Sequence, residues 1–516
     1  MTTPNEKAGG DVPPQDIQVP GPDVKAPIDE KADTASAIEK ELGMVEEGYL
    51  KNEGRLPSPE EQIDALGIPN WRELEKKIVR RLDMTLMPCV WCLYFFNYLD
   101  RASIGHARLS SFDEDLNLTG ANFSSAVSIL SLGYVLGQLP SNMLITKIRP
   151  SLYLCLMAIV WSGVSVATVG VKSYSGLMGV RFALGLVEAP LLPGAIYLLG
   201  CWYTRKEVAF RMAILYSAQT IAFCSAGLIA AATYATLEKA HGLAGWQWLF
   251  IILATAGAGS AMICIWFIPD YPDSRTGSAM WTMTEDMRKV AAARVLADRP
   301  STTEAKTGAW EGLKLSVRDP KLYILTLMNI TISAAYGFSN FYPSIVRGLA
   351  ADWGYSSVIA LVLTAPPYIF AAIGSYERGL HYAIPVAVAC IGFIVCLATT
   401  NPQARYGASF IYVGGMYIAN PLIMGYVSGA LAKTPEKRAA SVALCNLLSQ
   451  IGNFTAPFMF VTKEEPRYIS AFIGMMAFGL TSSACAIVMK IWLSRSNKRL
   501  LREAQQNGTA YQPYVT

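Results

Sequence analysis

From about residue 82 onward, long apolar runs alternate with short polar stretches. Most runs approach the roughly twenty residues that an α-helix needs to cross the hydrocarbon core of a bilayer. The pattern predicts twelve membrane spans, with these expected bounds: Leu82–Ala102, Ala121–Thr146, Ser151–Val171, Tyr174–Leu199, Val208–Leu237, Trp246–Ile268, Leu322–Val346, Ser356–Ser375, Leu380–Thr399, Tyr406–Leu431, Ala439–Val461 and Tyr468–Leu493.

Composition supports an all-α polytopic membrane protein. Of the 516 residues, 52% are hydrophobic and only 16% are charged, whereas soluble domains carry nearer a quarter charged residues. The charges gather before the first span, between the sixth and seventh spans, and at the end of the chain. The net charge of +4 gives no indication of a nucleic-acid partner.

The polar stretches divide the chain into five parts. We expect a disordered cytosolic tail, an N-terminal six-helix half, a cytosolic linker, a C-terminal six-helix half and a second cytosolic tail. Their expected bounds are residues 1–70, 71–269, 270–320, 321–494 and 495–516. Two halves joined by a polar linker are the architecture of transporters built from repeats, which bind substrate between the halves.

Loop charges predict the orientation. Basic residues precede the first span and occupy the loops after the second, fourth and tenth spans, whereas the other loops mix acids with bases. By the positive-inside rule both termini lie in the cytosol, and we expect no cleavable signal peptide. Asn117, in an Asn-Leu-Thr sequon of the first outer loop, is a candidate glycosylation site.

Asp100 and Arg101 form the first candidate site, because ionisable residues at membrane depth usually serve a substrate or proton pathway. Arg101 could hold a substrate anion while Asp100 takes up and releases a proton. Neighbours on a helix point about 100° apart, so we expect one of them to serve the site and the other to pair with another helix. The alternative is that both merely mark the outer mouth of the first span.

Arg181 and Glu188 form the second candidate site. They are seven residues apart on the fourth span and therefore share a helical face. Gly185, between them, would let another helix or a ligand approach. Arg181 could bind a carboxylate through two parallel hydrogen bonds. Glu188 could load a proton on the outside and release it inside, because apolar surroundings disfavour its charged form. The alternative is an interfacial anchor at Arg181 and a fixed ion-pair partner at Glu188.

Polar residues in other spans are further candidates for substrate binding, namely Asn97, Gln219, Tyr336 and Asn340. We favour the last two because the seventh span is the repeat-related partner of the first. Each of these side chains could instead form ordinary helix–helix hydrogen bonds.

Other chemistries find little support. The ten cysteines lie mostly within apolar runs and indicate packing rather than a metal or redox site, and no nucleotide-binding signature occurs. We therefore expect no cofactor, no metal and no enzymatic activity. The expected partners are a small organic anion, protons and the lipid bilayer, without nucleic acid, and the protein is expected to be a monomer.

Several stretches resemble the fungal allantoate and nicotinate permease group within the anion:cation symporters of the major facilitator superfamily. They are NYLDRASIGHAR at 97–108, RFALGLVEAP at 181–190, IPDYPD at 268–273 and WTMTED at 281–286, followed by Lys437, Arg438, Asn446, Gly452, Asn453, Pro457 and the 466–468 stretch. The resemblance implies a major facilitator fold and proton-coupled uptake of a carboxylate vitamin or nutrient, such as nicotinate, allantoate or pantothenate, at the plasma membrane.

The chain also departs from that group. Ser103 and His106 stand where the group usually has asparagine, which could alter substrate choice. The loop after the eighth span, around residues 374–379, lacks a longer basic stretch. Two alternatives therefore remain open: an exporter of a secondary metabolite, and an inactive or sensor copy of the family.

Overall fold

The computed structural model describes residue 38 and residues 40–45, 57–145, 148–272, 276–298, 309–374, 382–431 and 435–507. The shortened loop after the eighth span lies outside these described residues, as does most of the N-terminal tail. Within the tail, Pro59–Asp64 forms a short helix capped by Ser58, although disorder was predicted up to residue 70.

Helical segments occupy all twelve predicted spans. We number them α1–α12 and give the letters a and b to the two parts of a broken span. Their bounds are α1 Trp71–Ala107, α2 Asn122–Ile145, α3 Pro150–Ala167, α4a Tyr174–Glu188, α4b Leu191–Trp202, α5 Arg205–Leu237, α6 Gly245–Phe267, α7a Pro320–Ala335, α7b Tyr342–Asp352, α8a Ser357–Leu363, α8b Ala365–Gly374, α9 Ala383–Ala398, α10 Pro402–Ala430, α11 Pro435–Thr455 and α12 Ile469–Asn507.

By length and mean hydropathy alone, six of the described helical stretches could cross a membrane. They are Pro150–Gly170, Tyr174–Trp202, Lys206–Leu237, Gly245–Phe267, Pro320–Asn340 and Ile469–Arg502. The stretches Ser357–Ile373 and Ala383–Ala398 are apolar but shorter. The first and last helices extend beyond the predicted spans, because polar residues continue a helix outside the bilayer.

Three predicted spans are interrupted in their α-helical hydrogen bonding, although the backbone at the interruptions of the fourth and eighth spans keeps helical dihedral angles. The fourth breaks at Ala189 and Pro190, directly after Glu188, and the seventh passes through a 3-10 segment, Tyr336–Asn340, before Pro343. The eighth breaks at Thr364, just before two prolines. Proline lacks an N–H and clashes with the preceding turn, so it interrupts a helix that the apolar pattern alone predicts to be straight.

The helices form two six-helix halves. In the N-terminal half α2 packs along α4a, α1 along α5 and α3 along α6. In the C-terminal half α9 packs along α10, and α7a along α11 and α12. The halves meet where α2 contacts α11 and where α5 contacts α8a and α8b. This arrangement agrees with two packed repeats facing each other across a central interface.

The linker contributes one helix to each half. Helix Glu285–Ala297 packs against the N-terminal half, where the buried Arg294 bonds to Glu207 at 3.1 Å and to the Trp202 carbonyl at 2.6 Å. Helix Ala309–Val317 packs against α11 of the C-terminal half. Each half therefore carries its own helix on the predicted cytosolic side.

At the predicted outer side, a layer of contacts joins the two halves. Arg108 lies 2.8 Å from Asp113 in its own half and 3.6 Å from Glu465 in the other. Arg347 of α7b pairs with Glu465 at 3.1 Å and donates to the Arg108 carbonyl at 3.0 Å. We call these four residues the outer ionic network. It closes this side of the molecule in the conformation described.

The apolar core supports the same conclusion. One buried cluster lies in the inner part of the N-terminal half and includes Met287 and Val290 of the linker helix. The other cluster joins the C-terminal half to the outer part of the N-terminal half, including Ile104 and Ala226. The halves therefore share a continuous core only toward the outer side among the described residues.

Candidate functional site

The candidate site is a group of four charged residues inside the N-terminal half, of which three are buried and Arg101 is half-buried. Asp100 and Arg101 come from α1, and Arg181 and Glu188 come from α4a. Their formal charges cancel. Burying isolated charges is very costly, so a group of this kind persists only where the charges compensate each other.

An ion pair joins α1 to α4a. The Nε of Arg101 donates to Oε2 of Glu188 at 2.6 Å. The Glu188 side chain is fully buried, whereas 21% of the Arg101 side chain remains exposed. Arg101 is thus the member of the group that a molecule from outside the half could reach first.

Aromatic rings flank the exposed guanidinium. The Arg101 group lies 4.9 Å from the ring centre of Tyr134 on α2 and 5.4 Å from that of Tyr98 on α1. A cation above an aromatic face is attracted by the electron density of the ring. The two rings therefore fix the position of Arg101 without neutralising its charge.

The second pair of charges lies deeper. Asp100 is 4% exposed and accepts a hydrogen bond at 2.5 Å from the Ser165 hydroxyl on α3. Arg181 is 1% exposed and faces the Phe250 ring at 5.8 Å. As the helical geometry predicts, neighbouring Asp100 and Arg101 point to different helices, the first to α3 and the second to α4a.

Hydrogen-bonding capacity remains unused in the group. Among the described residues, no hydrogen-bond partner is present for Oδ2 of Asp100, Oε1 of Glu188, Nε and Nη2 of Arg181, or Nδ2 of the buried Asn97. Asn97 lies one turn before Arg101 on the same face of α1. The two carboxylate oxygens can accept a hydrogen bond or a proton, and the N–H groups of Arg181 and Asn97 can donate to a ligand, without first breaking another hydrogen bond.

Close packing of α2 against α4a positions the site. A Cβ atom on Gly185 would overlap the Leu130 carbonyl oxygen, and one on Gly133 would overlap the Phe182 carbonyl oxygen. Only residues without a side chain allow two helices to approach so closely. This approach brings the Tyr134 ring of α2 to Arg101, and it agrees with the sequence-based expectation that Gly185 admits a neighbouring helix.

The remaining predicted substrate residues lie elsewhere. Gln219 is buried on α5. Tyr336 donates to the Met416 carbonyl at 2.8 Å and packs its ring against Tyr417 at 4.9 Å. The backbone carbonyl oxygen of Asn340 lies against Gly105 of α1, where the two halves meet on the outer side. Among the described residues, no hydrogen bond or ion pair joins these three to the charge group.

The two departures from the resembled group also lie apart from the buried charges. The Ser103 hydroxyl donates to the backbone carbonyl of Asp100 at 2.6 Å, so it bonds within its own helix. His106 is buried where the two halves meet on the outer side, and its Nδ1 lies 3.0 Å from the Ala102 carbonyl oxygen. Neither side chain is hydrogen-bonded to Arg101 or Glu188.

Sequence reasoning did not identify Ser165, Tyr98 or Tyr134. Serine and tyrosine are ordinary residues of membrane helices, and nothing in the spacing of these three marks them. Asn117, the glycosylation candidate, is exposed in the first outer loop with a left-handed φ of 50°. Within the part of the chain that the structure describes, no group of three or more His, Cys, Asp or Glu residues could hold a metal ion.

The fold and the comparisons with known proteins agree on the class. The chain belongs to the Major Facilitator Superfamily, whose family profile matches residues 90–457. It is therefore a multi-pass membrane transporter with a small-molecule substrate.

The chain is also similar to individual transporters and to a solved structure. The chain is 29% identical to the MFS-type transporter cnsO of Penicillium expansum, over 82% of this chain and 84% of the relative. It is 25% identical to the pantothenate transporter liz1 of Schizosaccharomyces pombe, over 84% and 85%. The crystal structure of a bacterial homologue of the human lysosomal transporter Spinster, inward-facing and unoccupied, matches with a TM-score of 0.58 at 16% identity, covering 81% of this chain and 95% of that one.

Proposed function

We propose that this transporter takes up a small organic anion together with protons, as the resembled group of anion:cation symporters does. The observation that carries the proposal is the buried ion pair between Arg101 and Glu188, in which Arg101 alone retains exposed surface. The name of the pantothenate transporter among the relatives supports a carboxylate as the substrate.

The ion pair suggests how anion and proton binding depend on each other. A substrate carboxylate that approaches Arg101 competes with Glu188 for the same guanidinium. Once Glu188 loses this ion-pair partner, its fully buried carboxylate is less well compensated, which favours the form with a proton bound. Binding of the anion and protonation of Glu188 therefore favour each other.

The deeper pair has a supporting role in this proposal. Asp100 and Arg181 lie behind the ion pair with unused hydrogen-bonding atoms. They balance the charge of the site while Arg101 exchanges its partner, and Asp100 offers a second position for a proton. Asn97, beside Arg101, is proposed as a hydrogen-bond donor to the substrate, with Gln219, Tyr336 and Asn340 contributing only after the halves rearrange.

The proposal is tested by uptake into vesicles containing the purified protein. Labelled nicotinate, allantoate and pantothenate should accumulate when the outside is acidic, and a protonophore should abolish the accumulation. Arg101→Ala should abolish uptake, Arg101→Lys should retain part of it, and Lys289→Gln on the exposed linker helix should be neutral. Uptake by Arg101→Ala at the wild-type rate would contradict the proposal.

The cellular setting follows from the same proposal. We place the protein in the plasma membrane as a monomer, with a glycan on Asn117, which is exposed on the predicted outer side. Removal of N-glycans from the cellular protein should increase its gel mobility, and Asn117→Gln should abolish that change. An unchanged mobility of the wild-type protein would contradict glycosylation and leave the transport proposal intact.

A further inference from the structure

A short amphipathic helix, Ala309–Val317, leads from the linker into the seventh span. One side of it is held by α11. The Ser316 hydroxyl donates to the Lys437 carbonyl at 2.9 Å, and the Ser441 hydroxyl donates to Ser316 at 3.0 Å. Gly312, one turn before Ser316, is buried on the same side.

The opposite side combines large apolar residues with two basic residues and one acidic residue, the exposed Glu311. Trp310 is 68% exposed, and Val317 is 45% exposed. Lys314 lies between them, with its ammonium group 5.8 Å from the Trp310 ring centre, and the exposed Arg318 follows. Positions 310, 314, 317 and 318 share one helical face. We call these four residues the basic aromatic face.

The helix is fixed at the level where the seventh span enters the membrane. Only Arg318 and Asp319 separate it from α7a, and Asp319 pairs with Lys437 at 2.6 Å. Tyr323, 58% exposed in the first turns of α7a, donates its hydroxyl to the Val317 carbonyl at 2.8 Å. Tyr323 belongs to the apolar outer surface of a span, so the end of the short helix lies beside lipid.

We propose that the basic aromatic face binds the anionic inner leaflet of the membrane. Tryptophan is enriched at the membrane–water boundary because its ring is apolar while its N–H remains hydrated. Lys314 and Arg318 flank it, and basic residues next to a span attract anionic lipid headgroups. Exposing Trp310 and Val317 to water, by contrast, would leave apolar surface without any favourable contact.

The opposite half has a comparable aromatic boundary. Trp281 of the linker is 62% exposed and packs edge-on against Phe267, the last residue of α6, at 5.9 Å. Both ends of the linker therefore present aromatic side chains next to a span. On Ala309–Val317, two exposed basic residues, Lys314 and Arg318, accompany the tryptophan and favour anionic lipid.

The experiment uses the full-length protein in nanodiscs of phosphatidylcholine, alone or mixed with phosphatidylserine. Two readouts are taken: the thermal unfolding midpoint and the hydrogen exchange of the peptide covering Ala309–Val317. The wild-type protein should unfold at a higher temperature and exchange more slowly at this helix when phosphatidylserine is present. The double variant with Lys314→Gln and Arg318→Gln should show neither the higher unfolding temperature nor the slower exchange.

Two further variants separate lipid binding from general damage. Lys289→Gln removes an exposed cation from the linker helix of the other half and should retain both gains. Trp310→Ala should speed exchange at the helix in both lipids. The proposal would be overturned if the wild-type protein had the same unfolding midpoint and the same exchange rate in the two lipids. It would also be overturned if the double variant responded to phosphatidylserine as the wild-type protein does. Protection that depends on protein concentration rather than on phosphatidylserine would point to a second copy of the chain and would also overturn it.

Discussion

Single residues determine how closely α2 can pack against α4a beside the charge group. Gly185 and Gly133 allow α2 and α4a to touch through their backbones, and this contact places the Tyr134 ring beside Arg101. The sequence identified Gly185 as a position of close approach, and it also identified all four charges. It could not identify which charge pairs with which, because Arg101 and Glu188 are 87 positions apart in the chain and come together only in the folded N-terminal half.

Gly185→Ala is expected to destabilise the protein, because the added methyl group overlaps the Leu130 carbonyl oxygen. Overpacking of this kind typically costs about 1–3 kcal/mol. Gly179→Ala on the same helix is the matched control, since a Cβ atom there meets nothing within 4 Å. Thermal unfolding in detergent should show a lower midpoint for Gly185→Ala alone. Equal midpoints for the two variants would contradict the close helix contact.

Ser165→Ala removes the hydroxyl that donates to Asp100 and leaves a buried carboxylate oxygen without its donor. Leaving a buried acceptor unpaired costs about 1–3 kcal/mol. Ser162→Ala serves as the control, because that buried hydroxyl bonds only to the Ala158 carbonyl of its own helix at 2.9 Å. The unfolding midpoint should fall for Ser165→Ala and stay near the wild-type value for Ser162→Ala. The reverse order would argue against the bond to Asp100.

At the scale of elements, the apolar runs predict the number and order of the spans well, since burial in lipid requires continuous apolar helices. They do not predict the breaks. The interruption after Glu188 coincides with Pro190, and the 3-10 segment at Tyr336–Asn340 precedes Pro343. These prolines are visible in the sequence, but prolines are also tolerated in continuous membrane helices, so only packing decides between a kink and a break.

The outer ionic network depends on how helices and loops pack, because it forms only where α1, α7b and the loop before α12 come together. We predict that Glu465→Gln weakens closure of the outer side, since Glu465 pairs with both Arg108 and Arg347. A cysteine at the fully buried Thr364, in the contact between α5 and α8, should then react faster with a membrane-impermeant maleimide added outside.

Glu464→Gln is the neighbouring control for this experiment. Glu464 accepts hydrogen bonds from the backbone and hydroxyl of Ser470, which hold its pKa below the ordinary value, and it thus bonds within its own half. Labelling of Thr364→Cys should stay at its original rate in this variant. If both glutamine variants label equally, the outer ionic network does not hold the halves together.

The whole molecule consists of two halves that share a core on the outer side, while each half carries its own linker helix on the other side. In this arrangement the halves can rock about the central interface, and the charge group in the N-terminal half would face the two sides in turn. Sequence alone predicted the two halves and the linker. It could not predict the conformation, because the contacts that close the outer side join residues of both halves.

The most direct test of coupling compares two transport modes in vesicles containing the Glu188→Gln variant. Exchange of labelled for unlabelled anion requires no net proton movement, whereas accumulation driven by an acidic outside does. We predict that Glu188→Gln retains exchange but loses proton-driven accumulation, and that Glu114→Gln in the outer loop retains both. Accumulation by Glu188→Gln that still follows the proton gradient at the wild-type level would contradict the central claim that Glu188 carries the proton.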